Sequence, residues 1–235
     1  MGQSEQLELH ASDGGQISAY HVRPPASVRG RLVVVQEIFG VNAHIRRVAD
    51  RFAEAGYEVI APALFDRVER GVELDYDQAG IERGRTFIPK LGFDTPLLDI
   101  QAAIEKLGGV DARGLSGREQ AKVGVVGYCW GGSLAFLSAT RLTGVSAAVG
   151  YYAGQIAKFA SEVPRAPTLL HFGEQDKGIP LSDVEAVRKA RPDVEIELYP
   201  AQHGFNCDAR GSFDAASAER ALSRTLAFFE RHLAG

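Results

Sequence analysis

Val123-Gly124-Val125-Val126-Gly127-Tyr128-Cys129-Trp130-Gly131-Gly132 decides how this chain is read. A β-branched run enters Gly127, and Leu134-Ala135-Phe136-Leu137 follows the paired glycines as the opening of a helix, so the stretch is strand, sharp turn, helix. The pattern is Gly-x-nucleophile-x-Gly, with Cys in the place usually held by Ser. Such a turn exposes the Cys129 side chain above the carboxyl edge of a parallel sheet and sets it at a helix N-terminus. There the dipole and the free N–H groups favour a thiolate and can receive an oxyanion. The competing reading is a small buried hydrophobe, the ordinary fate of a lone Cys.

Working upstream, Leu32-Val33-Val34-Val35 is a continuous apolar run, as a strand covered on both faces requires, and it leads into Gln36-Glu37-Ile38-Phe39-Gly40. Ile45, Val48, Phe52 and Ala55 then fall on one helical face, and Tyr57-Glu58-Val59-Ile60-Ala61 reads as the next strand of a βαβ unit. Before it, Leu7-Glu8-Leu9 and residues 17–22 alternate around Asp13-Gly14-Gly15, which predicts an antiparallel hairpin at the sheet edge, ended by Pro24-Pro25. Residues 62–90 form a polar excursion rich in charge. A segment of that length is either a partly helical lid or pocket wall, or a solvated loop.

Thr95-Pro96 has the composition of a capped helix start, with Leu97, Ile100, Ile104 and Leu107 as the buried stripe and Gly108-Gly109 as the stop. Downstream of the central stretch, residues 145–152, 167–172 and 194–199 read as further strands. Ser182 with Glu185 has capping-box spacing, and Leu222, Leu226, Phe229 and Leu233 mark a closing helix. This alternation predicts a single α/β domain over residues 1–235, with a mostly parallel central sheet flanked by helices and function at the carboxyl ends of its strands.

A thiol needs a base, and the base needs a group to orient its second ring nitrogen. Asp176 closes Gly173-Glu174-Gln175-Asp176 after one strand, and His203 stands in Gln202-His203-Gly204-Phe205 after another. Either alone has a bland surface reading. With Cys129 they give the chain order nucleophile, acid, histidine of an α/β-hydrolase fold. The N–H groups of Trp130 and Ile38 are the expected oxyanion hole. Glu37, beside Ile38, is either a carboxylate that restrains the thiol or steers its proton, or a solvated loop acid. His10, His21, His44, His171 and His232 show no metal-ligand spacing with a second His or Cys, so neither a metal nor a cofactor is expected.

Composition bounds the rest. The chain has 235 residues, 45% of them hydrophobic and 24% charged, which suits one soluble globular domain. A formal net charge of -4 gives no footprint for nucleic acid or an anionic membrane. No signal peptide or membrane-spanning run is expected, and two cysteines make no disulfide framework, so the expected location is the cytoplasm.

Gln36-Glu37-Ile38-Phe39-Gly40, Gly127-Tyr128-Cys129-Trp130-Gly131-Gly132, Gly150-Tyr151-Tyr152, Gly173-Glu174-Gln175-Asp176 and His203-Gly204-Phe205 together resemble the dienelactone hydrolase (carboxymethylenebutenolidase) family over nearly the whole chain. The resemblance implies a Cys129-His203-Asp176 triad in an α/β-hydrolase fold. It implies an acid at Glu37 that holds the resting thiol, and arginines that receive a substrate carboxylate and so help generate the thiolate. Arg83 is similar in position to one such arginine, with a surface arginine as its alternative. Tyr152 is expected to line the pocket or to pack beneath it.

The family's second arginine lies four residues past the histidine, where this chain has Cys207, and Arg210 stands nearby as a substitute. Cys207 is read as a free thiol, with an oxidised pair to Cys129 as the alternative. The expected partner is a small lactone or ester carrying a carboxylate, acted on by a monomer or homodimer. An esterase or thioesterase on another acyl substrate, and a non-hydrolytic binding or thiol redox-sensing protein, stand as alternatives.

Overall fold

The architecture is that of a computed structural model describing residues 2–109 and 121–233. Among the described residues eight strands form one sheet: β1 (Gln3–His10), β2 (Gln16–Arg23), β3 (Gly30–Val35), β4 (Tyr57–Pro62), β5 (Val123–Tyr128), β6 (Val145–Tyr151), β7 (Thr168–Gly173) and β8 (Glu195–Tyr199). Their order across the sheet is β1-β2-β4-β3-β5-β6-β7-β8. β1 pairs antiparallel with β2, and β2 with β4, so the expected hairpin forms one edge. From β4 to β8 every pairing is parallel.

Among the described residues seven α-helices connect and cover these strands: α1 (Ala43–Glu54), α2 (Gln78–Arg85), α3 (Ile88–Leu91), α4 (Asp94–Gly108), α5 (Trp130–Arg141), α6 (Leu181–Ala190) and α7 (Ala215–Leu233). Alternate strand residues face opposite sides, and β5 shows what each side meets. A Cβ at Gly124 would touch Phe229 and Leu233 of α7, whereas one at Gly127 would run into the backbone of α5. Helix α1 shares the α7 face, because Phe52 lies edge-on to Phe229 at 6.4 Å between ring centres. All six residues of β5 are buried, as the unbroken apolar run requires of a strand sandwiched between helix layers.

The chain steps from β3 outward to β4 and then returns to β5 on the other side of β3. Loops leaving the carboxyl ends of β3 and β5 therefore diverge, and a crevice opens between them. Ile38 and Phe39 from the loop after β3 and Cys129 from the loop after β5 line that crevice.

Two helix starts differ from the sequence expectation. Helix α4 begins at Asp94, so Thr95 lies in its first turn instead of capping it, and Pro96 sits where no intrahelical N–H is needed. Helix α6 begins at Leu181 behind Pro180, whose φ of -58° aims the chain into the helix; Ser182 is already inside the first turn.

The polar excursion is ordered. Phe65 stacks on Phe87 at 4.5 Å and on Trp130 at 5.8 Å. Arg67 bridges the buried Asp99 carboxylate at 2.7 Å and Asp13 at 2.9 Å. Leu74 N–H donates to Phe39 O at 2.9 Å, and a Cβ at Gly84 would strike the Ile38 carbonyl. Helix α2 is thereby pressed against the loop after β3, as a pocket wall would be.

Candidate active site

At the end of β5 the backbone turns so sharply that Cys129 adopts φ 55° and ψ -117°. A non-glycine residue held there stores about 1–3 kcal/mol of strain, which the surroundings must enforce. They do so by close approach. A Cβ at Gly131 would enter the backbone of Val35 and Gln36, and Cys129 N–H is fixed to Tyr151 O at 2.9 Å. The thiol consequently stands at the start of α5, above the sheet.

Loops after β7 and β8 bring its partners. His203 Nε2 lies 3.3 Å from Cys129 Sγ, and Nδ1 lies 2.7 Å from Asp176 Oδ2. Asp176 is buried, and its other oxygen accepts Gly178 N–H at 2.8 Å. The His203 loop is itself held by Ser212 Oγ, which donates to His203 O at 2.7 Å. Burial lowers the His203 pKa, but the facing sulfur and the Asp176 carboxylate outweigh it and push the imidazole up to about 10. That geometry favours an imidazolium facing the Cys129 sulfur.

A cavity of about 710 Å³ opens over the thiol, and Cys129, His203, Ile38 and Trp130 all line it. No acceptor among the described residues takes the N–H of Ile38 or Trp130. Phe39, Ile81 and Ile88 give the cavity an apolar lining, and Arg85, Arg210 and Lys177 also line it.

The remaining expected residues divide. Arg210 reaches the cavity, with Nη1 3.5 Å from Glu37 Oε1. Arg83 does not: its guanidinium pairs with Glu69 and lies 5.0 Å over the Phe87 ring, and its side chain is 48% exposed. Residues two apart on a helix point to nearly opposite sides, whereas those four apart share a face. Ile81 and Arg85 therefore face the cavity together, and Arg83 faces away.

Tyr152 is a packing residue and not a wall. It is fully buried, its ring centre is 5.0 Å from that of His203, and its hydroxyl has no hydrogen-bond partner.

Glu37 is completely buried, which excludes the solvated-loop reading. Its Oε2 accepts the Tyr76 hydroxyl at 2.7 Å, and no hydrogen bond joins it to Cys129, whose sulfur faces His203 instead. The resting contact between acid and thiol implied by the resemblance is therefore not formed here. Tyr76 pays no regard to sequence signals: it lies between Asp75 and Asp77 in the charged excursion. Burial, reinforced by Glu37, drives its pKa far up, so it remains a donor. Cys207 is a free, buried thiol, as is Cys129 a free thiol, and no disulfide joins them. Burial pushes the Cys207 thiol up to about 12.

An elbow cysteine addressed by a histidine and a buried carboxylate, each from a later strand end, defines a hydrolase of the α/β-hydrolase fold. The sequence comparison narrows that class. Residues 17–233 match the model of the dienelactone hydrolase family, and the chain belongs to that family. A candidate carboxymethylenebutenolidase of Synechocystis sp. is 35% identical, the match covering 93% of each chain. A carboxymethylenebutenolidase of Pseudomonas putida is 32% identical over 96% of this chain and 95% of its own. Among solved structures, a candidate dienelactone hydrolase from Klebsiella pneumoniae superposes with a TM-score of 0.81 at 30% identity, covering 98% of this chain and 100% of that one. No helix among the described residues is long and apolar enough to cross a membrane.

Proposed function

We propose that this hydrolase opens an enol-lactone bearing a carboxylate, converting a dienelactone to maleylacetate through a thioester on Cys129. The observation that carries the reading is the aligned chain Cys129 Sγ, His203, Asp176, with separations of 3.3 Å and 2.7 Å, at the floor of the cavity. The Cys129 thiolate attacks the lactone carbonyl, and the developing oxyanion is received by the Ile38 and Trp130 N–H groups. Collapse breaks the ring C–O bond. The departing enolate takes the proton of His203, which leaves the imidazole neutral. Water, deprotonated by His203, then cleaves the thioester and returns the thiolate. Asp176 holds the imidazole in the tautomer and orientation both steps need.

The substrate carboxylate is assigned to Arg85 and Arg210, the two guanidinium groups lining the cavity. An activated enol-lactone suits this site better than an alkyl ester, because a thiolate is a better leaving group than an alkoxide and returns to substrate unless the ring oxygen departs readily. Ultraviolet-monitored hydrolysis of cis-dienelactone by the wild type beside Cys129→Ala tests the reading. Turnover by the wild type and none by the variant is the expected result. Cleavage of p-nitrophenyl acetate through Cys129 without any dienelactone turnover would overturn the substrate assignment and leave the triad standing.

A further inference from the structure

Behind Arg210, out of reach of the cavity, three donors from distant parts of the chain converge. Glu37 leaves the end of β3, His44 sits in the first turn of α1, and Cys207 lies in the turn after His203. One ligand atom of each lies within 4.8 Å of the others, and all three residues are buried. Two of these residues also carry a buried polar atom with no hydrogen-bond partner, Glu37 Oε1 and His44 Nε2. Buried polar atoms left in that state are rare and ask for something to fill the gap between them. The histidine is already oriented: Nδ1 is 3.0 Å from Asp208 Oδ1, which directs its proton there and leaves the lone pair on the unpartnered Nε2.

We propose that Glu37, His44 and Cys207 form a binding site for a borderline-soft divalent cation of the Zn²⁺ type. With Zn–N near 2.0 Å and Zn–S near 2.3 Å, ligand atoms of a tetrahedral site stand about 3.3–3.7 Å apart, so the present triangle closes onto an ion by a shift of about 1 Å. A thiolate and a carboxylate cancel the ion's two charges, which suits a buried place. Binding replaces the Cys207 S–H bond by an S–metal bond and releases that proton to solvent. Asp208 supplies the carboxylate–histidine–metal arrangement common around such ions. Arg210 gives up its contact with Glu37 Oε1 when the ion arrives. The site is separate from the hydrolytic thiol, and it escaped the sequence reading because its ligands have no local spacing.

The test removes the other thiol first, since Cys129 with His203 can itself take a soft metal. Reduced, chelator-treated Cys129→Ala protein is titrated with Co²⁺ and followed by the thiolate-to-cobalt charge-transfer absorbance, then with Zn²⁺ in competition. One equivalent of Co²⁺ should bind with that band and be displaced by Zn²⁺, and Zn²⁺ should raise the melting temperature. Adding Cys207→Ser should abolish the band, and Asp208→Asn should weaken binding roughly 10- to 100-fold. Circular dichroism checks folding, and His44→Gln in the same background replaces Cys207→Ser if that variant does not fold. Absence of stoichiometric binding, or a band that survives Cys207→Ser, overturns the proposal.

Discussion

Arg85→Ala and Arg83→Ala, two residues apart, should behave as if they belonged to different proteins. Arg85 lines the cavity with Ile81 of its own helix face, whereas Arg83 turns outward to Glu69 and Phe87. A hydrogen bond between a guanidinium and a carboxylate contributes about 1.5–3 kcal/mol. Losing it from Arg85 should lower kcat/KM for a dienelactone roughly 10- to 150-fold. A neutral ester such as p-nitrophenyl acetate has no carboxylate to lose, and its kcat/KM should stay within about twofold. Arg83→Ala removes an exposed ion pair, worth about 0–1 kcal/mol of stability, and an exposed cation–π contact with Phe87, and should leave both substrates within about twofold. Steady-state kinetics of both variants on both substrates reads all four values. If Arg83→Ala loses dienelactone activity and Arg85→Ala does not, the helix phase is wrongly read. If Arg85→Ala impairs the two substrates equally, Arg85 holds the wall in place and does not hold the substrate.

Asp176→Asn should lower kcat/KM by roughly 10²- to 10⁴-fold while leaving KM nearly unchanged, because it alters the imidazole and not the cavity; it should also slow iodoacetamide labelling of Cys129, and labelling at the wild-type rate would refute the coupling. Iodoacetamide should modify Cys129 and spare the fully buried Cys207, as peptide mass mapping would read, and rapid loss of both thiols would sink that assignment. His171 is buried between Tyr199 at 2.9 Å and Thr225 at 3.0 Å, and burial lowers its pKa from 6.5 to about 3. Below pH 6.5 the unfolded chain takes a proton there that the folded chain refuses, so stability present above 6.5 falls by about 1.4 kcal/mol per pH unit toward pH 3. Urea titrations at pH 7 and pH 5 should show about 2 kcal/mol of this loss in the wild type and not in His171→Gln; equal losses would count against a buried neutral histidine. Gly127→Ala forces a Cβ into the Gly131 backbone and should cost at least about 2 kcal/mol, lowering the melting temperature by roughly 4–8 °C; an unchanged melting temperature would mean that the elbow relaxes freely.

The parts of this molecule legible in its sequence are those whose constraint is local. The elbow is one, because Gly127 and Gly131 are dictated by backbones only a few residues away and by the strand β3 beside it. The strand order of chemistry is another: Cys129, Asp176 and His203 each follow an apolar run that can be recognised without its neighbours. Arg83 and Arg85 could not be told apart, since α2 carries Ile81 as its sole large apolar residue and a single residue does not set a helix phase. Tyr76 gives no signal either, being a tyrosine between two aspartates whose role exists only once the excursion folds back on the loop after β3. The cluster of Glu37, His44 and Cys207 is invisible for the same reason: each donor is ordinary in its own segment, and only the crossing of the β3 and β8 loops brings them together.

Arg210 connects the cavity to the buried cluster behind it. Its guanidinium lies 5.8 Å from the Phe39 ring centre and 5.7 Å from that of Tyr76, and it meets Glu37 Oε1 at 3.5 Å. That separation is long for a charge-assisted hydrogen bond. The firm contact of Glu37 is therefore the Tyr76 hydroxyl at 2.7 Å, and the Arg210 contact is the weaker of the two. An anionic group entering the cavity competes for Arg210 against a partner that holds it loosely. Once Arg210 turns to that group, the buried Glu37 Oε1 loses its only ion-pair contact among the described residues, and a buried polar atom without a partner costs more than one at a surface. The presence of charge in the cavity is thus felt at residue 37, whose neighbour Ile38 lines the cavity. A neutral ester exerts no such pull on Arg210, so under the proposed assignment of a substrate carboxylate to Arg85 and Arg210 these residues distinguish an anionic substrate from a neutral one before any bond has changed.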